Sequence, residues 1–374
     1  MMEFNAFVGL DVHKETIAVA IADAGRDGEV RFYGTVPNTS ASLDRLVRRI
    51  APKYERLAFV YEAGPCGYGV ARHLQSGGHD CRVTAPSRIP RKPGDRIKND
   101  HRDAIQLARL MRAGELTFVW MPDATHESIR DLVRARQSAT FDIRRARQHI
   151  QSYLLKYSRH FSASGKVWGQ VHRTWLANQS FEHPAQQYTL QTYLNAMDQS
   201  LARRGEIDGQ IRELLPAWSL SPLVEALQTL RGIAESIAVS IVAEVGDLQR
   251  FSNPRQLMAY LGLVPGEHSS GSNVRARGIT KTGNTIVRSL LIEAAWTYRC
   301  TAKVSSRMLR RMATAPESLK AIAWKAQVRL CGRYRRLVAR GKKSQVAVTA
   351  IARELLGFIW AIAEELRLLR ARDA

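Results

Sequence analysis

The sequence predicts a mixed α/β domain at the N-terminus followed by an all-helical remainder, on three observations. Three β-rich runs open the chain before any helical pattern begins. Apolar strands then alternate with amphipathic stretches as far as about residue 112, the arrangement of a sheet with helices on its faces. From His126 onward, apolar residues recur mainly at helical spacing.

FVGLD, ending at Asp11, TIAVAIADA (16–24) and EVRFYGTV (29–36) are separated by short polar or glycine-containing breaks, which predicts a meander of three antiparallel strands. An N-cap at Ser40 or Ser42 opens the amphipathic stretch SLDRLVRRIA. The apolar strand LAFVYEA (57–63), a helix over 68–75, the short strand CRVTA and a helix over 100–112 follow, giving the order βββαβαβ and then helix. That order suits a ribonuclease-H-like mixed sheet. The first domain is expected to span 1–120.

Between His126 and Phe161 there is neither Pro nor Gly, and Ile129, Leu132, Val133, Phe141, Ile143, Ile150, Leu154 and Leu155 recur at roughly helical spacing, which predicts one long helix. A second amphipathic helix over 184–215 would return beside it as an antiparallel coiled-coil arm, residues 121–220, of the kind that serves self-association. Residues 221–374 form the third predicted domain. LVEALQTL, RGI and AESIAVSIVAEVGDL give two short helices about a glycine turn, like a helix-hairpin-helix, whose turn amides suit phosphate oxygens. A polar Ser/Gly/Arg loop over 267–284 then leads into a helix over 285–298.

The charge narrows the partners. The 56 Lys and Arg against 34 Asp and Glu leave a net +22 in 374 residues, beyond what solubility requires, so a polyanion is expected. Residues 299–343 concentrate it, with fourteen Lys or Arg and one acid, Glu317, interleaved with Trp324 and Tyr334. The apolar stretch 355–363 is flanked by charge and too short to span a bilayer, so no membrane partner is expected. The N-terminus does not read as a secretory signal, which predicts a cytoplasmic protein. The four scattered cysteines give neither a disulfide framework nor zinc-ligand spacing.

The acids suggest a metal site. Asp11 and Glu62 each end an apolar strand, and Asp100 and Asp103 stand three apart at a helix start, sharing a face. Four carboxylates at one sheet edge suit magnesium, with manganese as the alternative; two such ions about 4 Å apart stabilise attacking and leaving oxygens in phosphoryl transfer. Taken alone, Asp100 and Asp103 read as an N-cap and a first-turn dipole partner rather than as ligands. His13, Lys14 and His101 are expected at the surface without a catalytic part.

The loop GEHSSGSNVRARGITKTGN sets Ser269, Ser270 and Ser272 beside Arg275, Arg277, Lys281 and, on the next helix, Arg288. A hydroxyl nucleophile with cations to offset charge on the non-bridging oxygens would suit attack on a phosphodiester. A loop that only grips the DNA backbone fits the same composition.

Together, GLDVHK around Asp11, VYEAGPCGYG around Glu62, KNDHRDA around Asp100 and Asp103, LRGIAESIAVSIVAEVGD, and LGLVPGEHSSGSNVRARGITKTGN leading into Arg288 resemble the DEDD transposases of a large bacterial insertion-sequence family, over about residues 5–360. Guide-RNA-dependent members of that family are called bridge recombinases. The resemblance implies a RuvC-like N-terminal domain whose metal ligands are Asp11, Glu62, Asp100 and Asp103, a coiled-coil arm, and a C-terminal transposase domain with a nucleophilic serine. That serine is Ser270, before Gly271; Ser269 competes, because the Ser-Ser pair shifts the match by one position. It further implies strand exchange through a phosphoserine intermediate, with the acids of one subunit completing the serine site of another. The partners it implies are double-stranded DNA of element ends and target, a structured guide RNA, and a dimer or tetramer at the bacterial nucleoid. Arg333, Arg335, Arg336, Lys342 and Lys343, with the basic stretch 88–98, would then meet nucleic-acid phosphates. Two alternatives stay open: a RuvC-like nuclease or junction resolvase that uses water, and a non-catalytic nucleic-acid scaffold.

Overall fold

A computed structural model describes residues 4–90, 99–267 and 276–373, and the chain divides into two compact units, 1–121 and 122–374. The first unit is built on β1 (Ala6–Val12), β2 (Thr16–Asp23), β3 (Val30–Pro37), α1 (Ser40–Ile50), β4 (Leu57–Glu62), α2 (Gly69–Ser76), β5 (Asp80–Thr84) and α3 (Asp100–Arg112). Its five strands are ordered β3-β2-β1-β4-β5, antiparallel from β1 through β3 and parallel from β1 through β4 to β5.

Side-chain alternation sorts the two faces. Val8, Leu10, Ile17, Val19, Ile21, Phe59 and Tyr61 pack with Leu43, Leu46, Ile50 and Leu74 of α1 and α2. The opposite face carries smaller residues: Ala18, Ala20 and Ala22 meet Ala104 and Ala108 of α3, and Ala58 and Val60 meet Leu107 and Met111. Small residues on both surfaces let α3 lie close to the sheet. At Gly9 the approach is closest, because a Cβ there would collide with the backbone of Ala104 and Ala108.

α3 starts at Asp100 as expected, but the capping residues differ from the sequence expectation. Thr39, one step before Ser40, caps α1 by accepting from the Ser42 amide. Asn99, not Asp100, caps α3, its side chain accepting from the Arg102 amide at 2.8 Å. Asp100 is therefore released from the capping role.

Among the described residues, the second unit is helical apart from one hairpin. It runs α4 (Ala124–Lys156), α5 (Gln170–Ala177), α6 (Pro184–Leu214), α7 (Ser221–Leu227), α8 (Glu235–Val245), α9 (Pro254–Tyr260), β6 (Pro265–Glu267), β7 (Ala276–Ile279), α10 (Thr285–Ala295), α11 (Ser306–Arg311), α12 (Glu317–Ala339) and α13 (Ser344–Asp373). The long helix stops at Lys156 rather than Phe161, and Ser158 takes a left-handed φ of 53°. α4 and α6 are antiparallel neighbours, since Arg136 pairs with Asp208, Arg203 with Asp142, and the Tyr153 hydroxyl donates to the Gln186 carbonyl. Their far end has its own core, where Ile150, Leu154, Leu176 and Leu190 pack with Trp168, Trp175 and Phe181.

α13 corrects the reading of the C-terminus. By length and composition it is long and apolar enough to cross a membrane, unlike the nine-residue stretch considered from sequence. Its Val348, Ile351, Ala352, Leu355, Leu356, Ile359 and Ile362 are buried in the core of this unit.

Candidate active site

Asp11 and Glu62 reach the same face of the sheet by parity. Phe7 and Gly9 of β1 face α3, so Asp11, two residues beyond Gly9, does too; in β4, Glu62 follows Ala58 and Val60. β1 and β4 run parallel with Leu10 beside Tyr61, so the next residues, Asp11 and Glu62, leave adjacent strand ends together. The start of α3 supplies Asp100 and Asp103, held over this face by the contact at Gly9.

His13, just past the end of β1, is exposed as expected, and from there it also reaches the acids. Its Nε2 lies 3.2 Å from Asp11 Oδ2 and 3.4 Å from Asp100 Oδ1. Ligand atoms of Asp11, His13 and Asp100 all fall within 4.8 Å of one another, a grouping that could hold a metal ion. Glu62 and Asp103 are half-buried and stand outside that trio. Burial pushes the Asp11 carboxyl above its ordinary range, His13 pulls it back, and the charges of Asp100 and Asp103 raise it further. Mutually repelling carboxylates with hard oxygen donors fit a divalent cation. His101 instead packs edge-on against Phe32, ring centroids 4.3 Å apart.

On the second unit, Ser269, Ser270, Ser272 and Arg275 lie outside the described residues, as do 91–98 of the basic stretch. β6 and β7 pair as an antiparallel hairpin that brackets the serine segment, and the backbone of Arg277 belongs to β7. In sequence the whole stretch reads as a loop, since three- and four-residue strands carry too little alternation to be legible. Lys281 is exposed with a left-handed φ of 58°. Arg288 is a correction: expected on nucleic acid, it is 8% exposed, and its Nη1 donates to the carbonyls of Leu261 (3.0 Å) and Thr282 (2.7 Å). Its charge is spent on holding the base of the hairpin.

The basic C-terminal segment divides similarly. Arg329 and Arg333 of α12 both pair with Glu354 of α13, which fastens the two helices together. Arg335, Arg336, Lys342 and Lys343 are exposed and make no ion pair among the described residues. Val328, Gly332, Arg335 and Arg336 line an open groove on α12, with Trp324 47% exposed one turn before Val328.

Residues 8–159 match a family model described as Transposase, of the DEDD type, and residues 224–309 match one described as Transposase IS116/IS110/IS902 family. Protein y4qE of Sinorhizobium fredii, named as a transposase, is 51% identical over 97% of this chain and 90% of its own length. The transposase for insertion sequence element IS1533 of Leptospira borgpetersenii is 29% identical over 91% of this chain and 99% of its own. The transposase for IS1111A of Coxiella burnetii is 27% identical over 68% of this chain. With both family regions matched in order and a relative 51% identical over 97% of this sequence, the chain belongs to the IS110/IS116 family of insertion-sequence transposases.

Proposed function

We propose that this transposase excises and inserts its element by strand exchange at a divalent-metal site made by Asp11, Glu62, Asp100 and Asp103, with Ser270 as the nucleophile. The observation that carries the reading is the grouping of Asp11, His13 and Asp100, with the charge of Asp103 acting on Asp11; Glu62, at the end of the adjacent parallel strand, supports it as the fourth acid. The strand order and the mixed pairing of the sheet support a ribonuclease-H or RuvC-like assignment for residues 1–120. Residues 121–220 then serve as the coiled-coil arm and 221–374 as the transposase domain.

The acids would hold magnesium, or manganese in its place, which supplies charge stabilisation at the phosphodiester oxygens when bound. The Ser270 Oγ forms a bond to phosphorus as the bond from phosphorus to one deoxyribose oxygen breaks. The hydroxyl gives up its proton, and the leaving oxygen takes one up. Attack by the free deoxyribose hydroxyl of the other strand reverses these changes and releases the serine. Lys281 and the arginines of the hairpin would offset charge on the non-bridging oxygens. An element-encoded structured RNA selects donor and target, and Arg335, Arg336, Lys342 and Lys343 meet nucleic-acid phosphates. Exposed Phe141, Leu155 and Tyr188 along the arm support self-association.

The test is incubation with element-end DNA, candidate RNA and magnesium, followed by denaturing separation. A covalent DNA–protein adduct is expected in wild type and in Ser269→Ala, and none in Ser270→Ala. An adduct that survives Ser270→Ala but not Ser269→Ala moves the nucleophile by one residue. Divalent-dependent cutting without any adduct, lost in Asp11→Ala, replaces this reading with a nuclease that uses water.

A further inference from the structure

Glu244 is a carboxylate buried in the second unit with its side chain 1% exposed, on the last turn of α8. A buried charge is costly unless its oxygens are filled, and an apolar residue would pack there at lower cost. Here they are filled from two directions. Arg134 of α4 donates to both oxygens, Nε to Oε1 at 2.8 Å and Nη2 to Oε2 at 3.0 Å. Asn284 donates its Nδ2 to Oε2 at 2.7 Å.

Asn284 is the residue that joins the serine hairpin to α10. Its Oδ1 accepts from the Val287 amide and so caps that helix. Immediately before it, the two ends of the hairpin are locked together. The Lys281 amide donates to Gly262 O and the Thr280 amide to Val264 O, while Arg288 holds the carbonyls of Leu261 and Thr282. Gly262 and Gly283, both at positive φ, approach so closely that a Cβ on either would strike the facing backbone, Thr282 and Tyr260 respectively. On the other side of Glu244, His126 Nε2 and Arg130 Nε each reach the carbonyl of Ala243 at 2.8 Å. His126, Arg130 and Arg134 stand four residues apart on one face of α4, so the arm helix grips the end of α8 over two turns.

We infer that Glu244 is a positioning residue for the serine hairpin, and that Arg134, Glu244 and Asn284 form a polar line tying the hairpin base to the arm helix. The inference rests on the serine reading for its chemical consequence. A nucleophile misplaced by an ångström loses much of its rate, and this line fixes one end of the segment that bears it.

Asn284→Asp tests it, because aspartate caps a helix as well as asparagine but sets a second carboxylate against Glu244. Glu244→Gln combined with Asn284→Asp restores a donor–acceptor pair in the reverse sense. At saturating DNA, the single variant should form the serine adduct about tenfold more slowly, with the Kd for DNA within about twofold of wild type. Amides of residues 276–284 should exchange with deuterium faster, and the double variant should recover part of both properties, since the Gln amide regains the bond to residue 284 but gives up the one from Arg134 Nη2. Wild-type adduct rate and exchange in Asn284→Asp, or a double variant no better than the single, overturns the proposal. Exchange needs no adduct: if wild type forms none, the serine reading falls and the positioning is judged on exchange, supported by a rise that the double variant reverses at least in part and overturned by no change.

Discussion

Asp11 is the residue on which the first unit turns. It is buried enough for its carboxyl to be raised above the ordinary range, and two further acids press on it, so the site favours either a proton or a cation. Asp100 stands beside His13 and Asp11 and does not cap its helix, because Asn99 accepts from the Arg102 amide and fills that role. Two variants divide the roles. Asn99→Ala should cost about 1 kcal/mol of stability by loss of the cap, read by denaturant unfolding. Asp100→Asn should leave stability within about 0.5 kcal/mol while abolishing divalent-dependent cleavage. The acids can be proposed from sequence because Asp11 and Glu62 stand at strand ends and Asp100 and Asp103 in the first turn of a helix. His13 cannot, since its position between Asp11 and Asp100 depends on how α3 crosses the sheet, and no local spacing encodes that.

At the scale of elements, the close docking of α3 against β1 sets the site. Gly9→Ala would push Ala104 and Ala108 away, at a cost of about 1–3 kcal/mol for overpacking, and should weaken magnesium binding by calorimetry because Asp100 and Asp103 move with the helix. β1 to β3 and the span of α3 could be read from sequence, since alternating Ala and branched residues write the two faces directly. The β6–β7 hairpin and the thirty-residue α13 could not, the first being too short and the second lacking a clear polar face. The second unit also carries a pH signature. Burial depresses the basicity of His126, whose Nε2 donates to Ala243, and of His172, which sits among Phe161, Trp168 and Trp175. The unfolded chain protonates these rings at about pH 6.5 and the folded one only below that, so the unfolded state binds more protons in between. Stability should therefore hold above about pH 6.5 and fall as the pH drops below it. Thermal melts of wild type against His126→Asn check this, and the variant should lose part of the slope.

For the whole molecule, excess positive charge divides into cations that build the fold and cations left for a partner. Arg288, Arg329 and Arg333 belong to the first class, by their carbonyl and Glu354 contacts. Sequence composition makes no such distinction, because a paired and an unpaired arginine read alike. Replacing Arg335 and Arg336 with Ala should weaken nucleic-acid binding and reduce the slope of log K against log salt by roughly one per lost phosphate contact, read by titration at several salt concentrations. Arg288→Ala should instead lower the melting temperature. The central claim is that the four carboxylates of the first unit are the catalytic metal site of this transposase. Its most direct measurement is divalent-dependent cleavage of element-end DNA by wild type and Asp11→Asn at equal DNA occupancy: a loss of about a hundredfold or more in the variant, with binding unchanged, is the predicted result, and cleavage at the wild-type rate would contradict the claim.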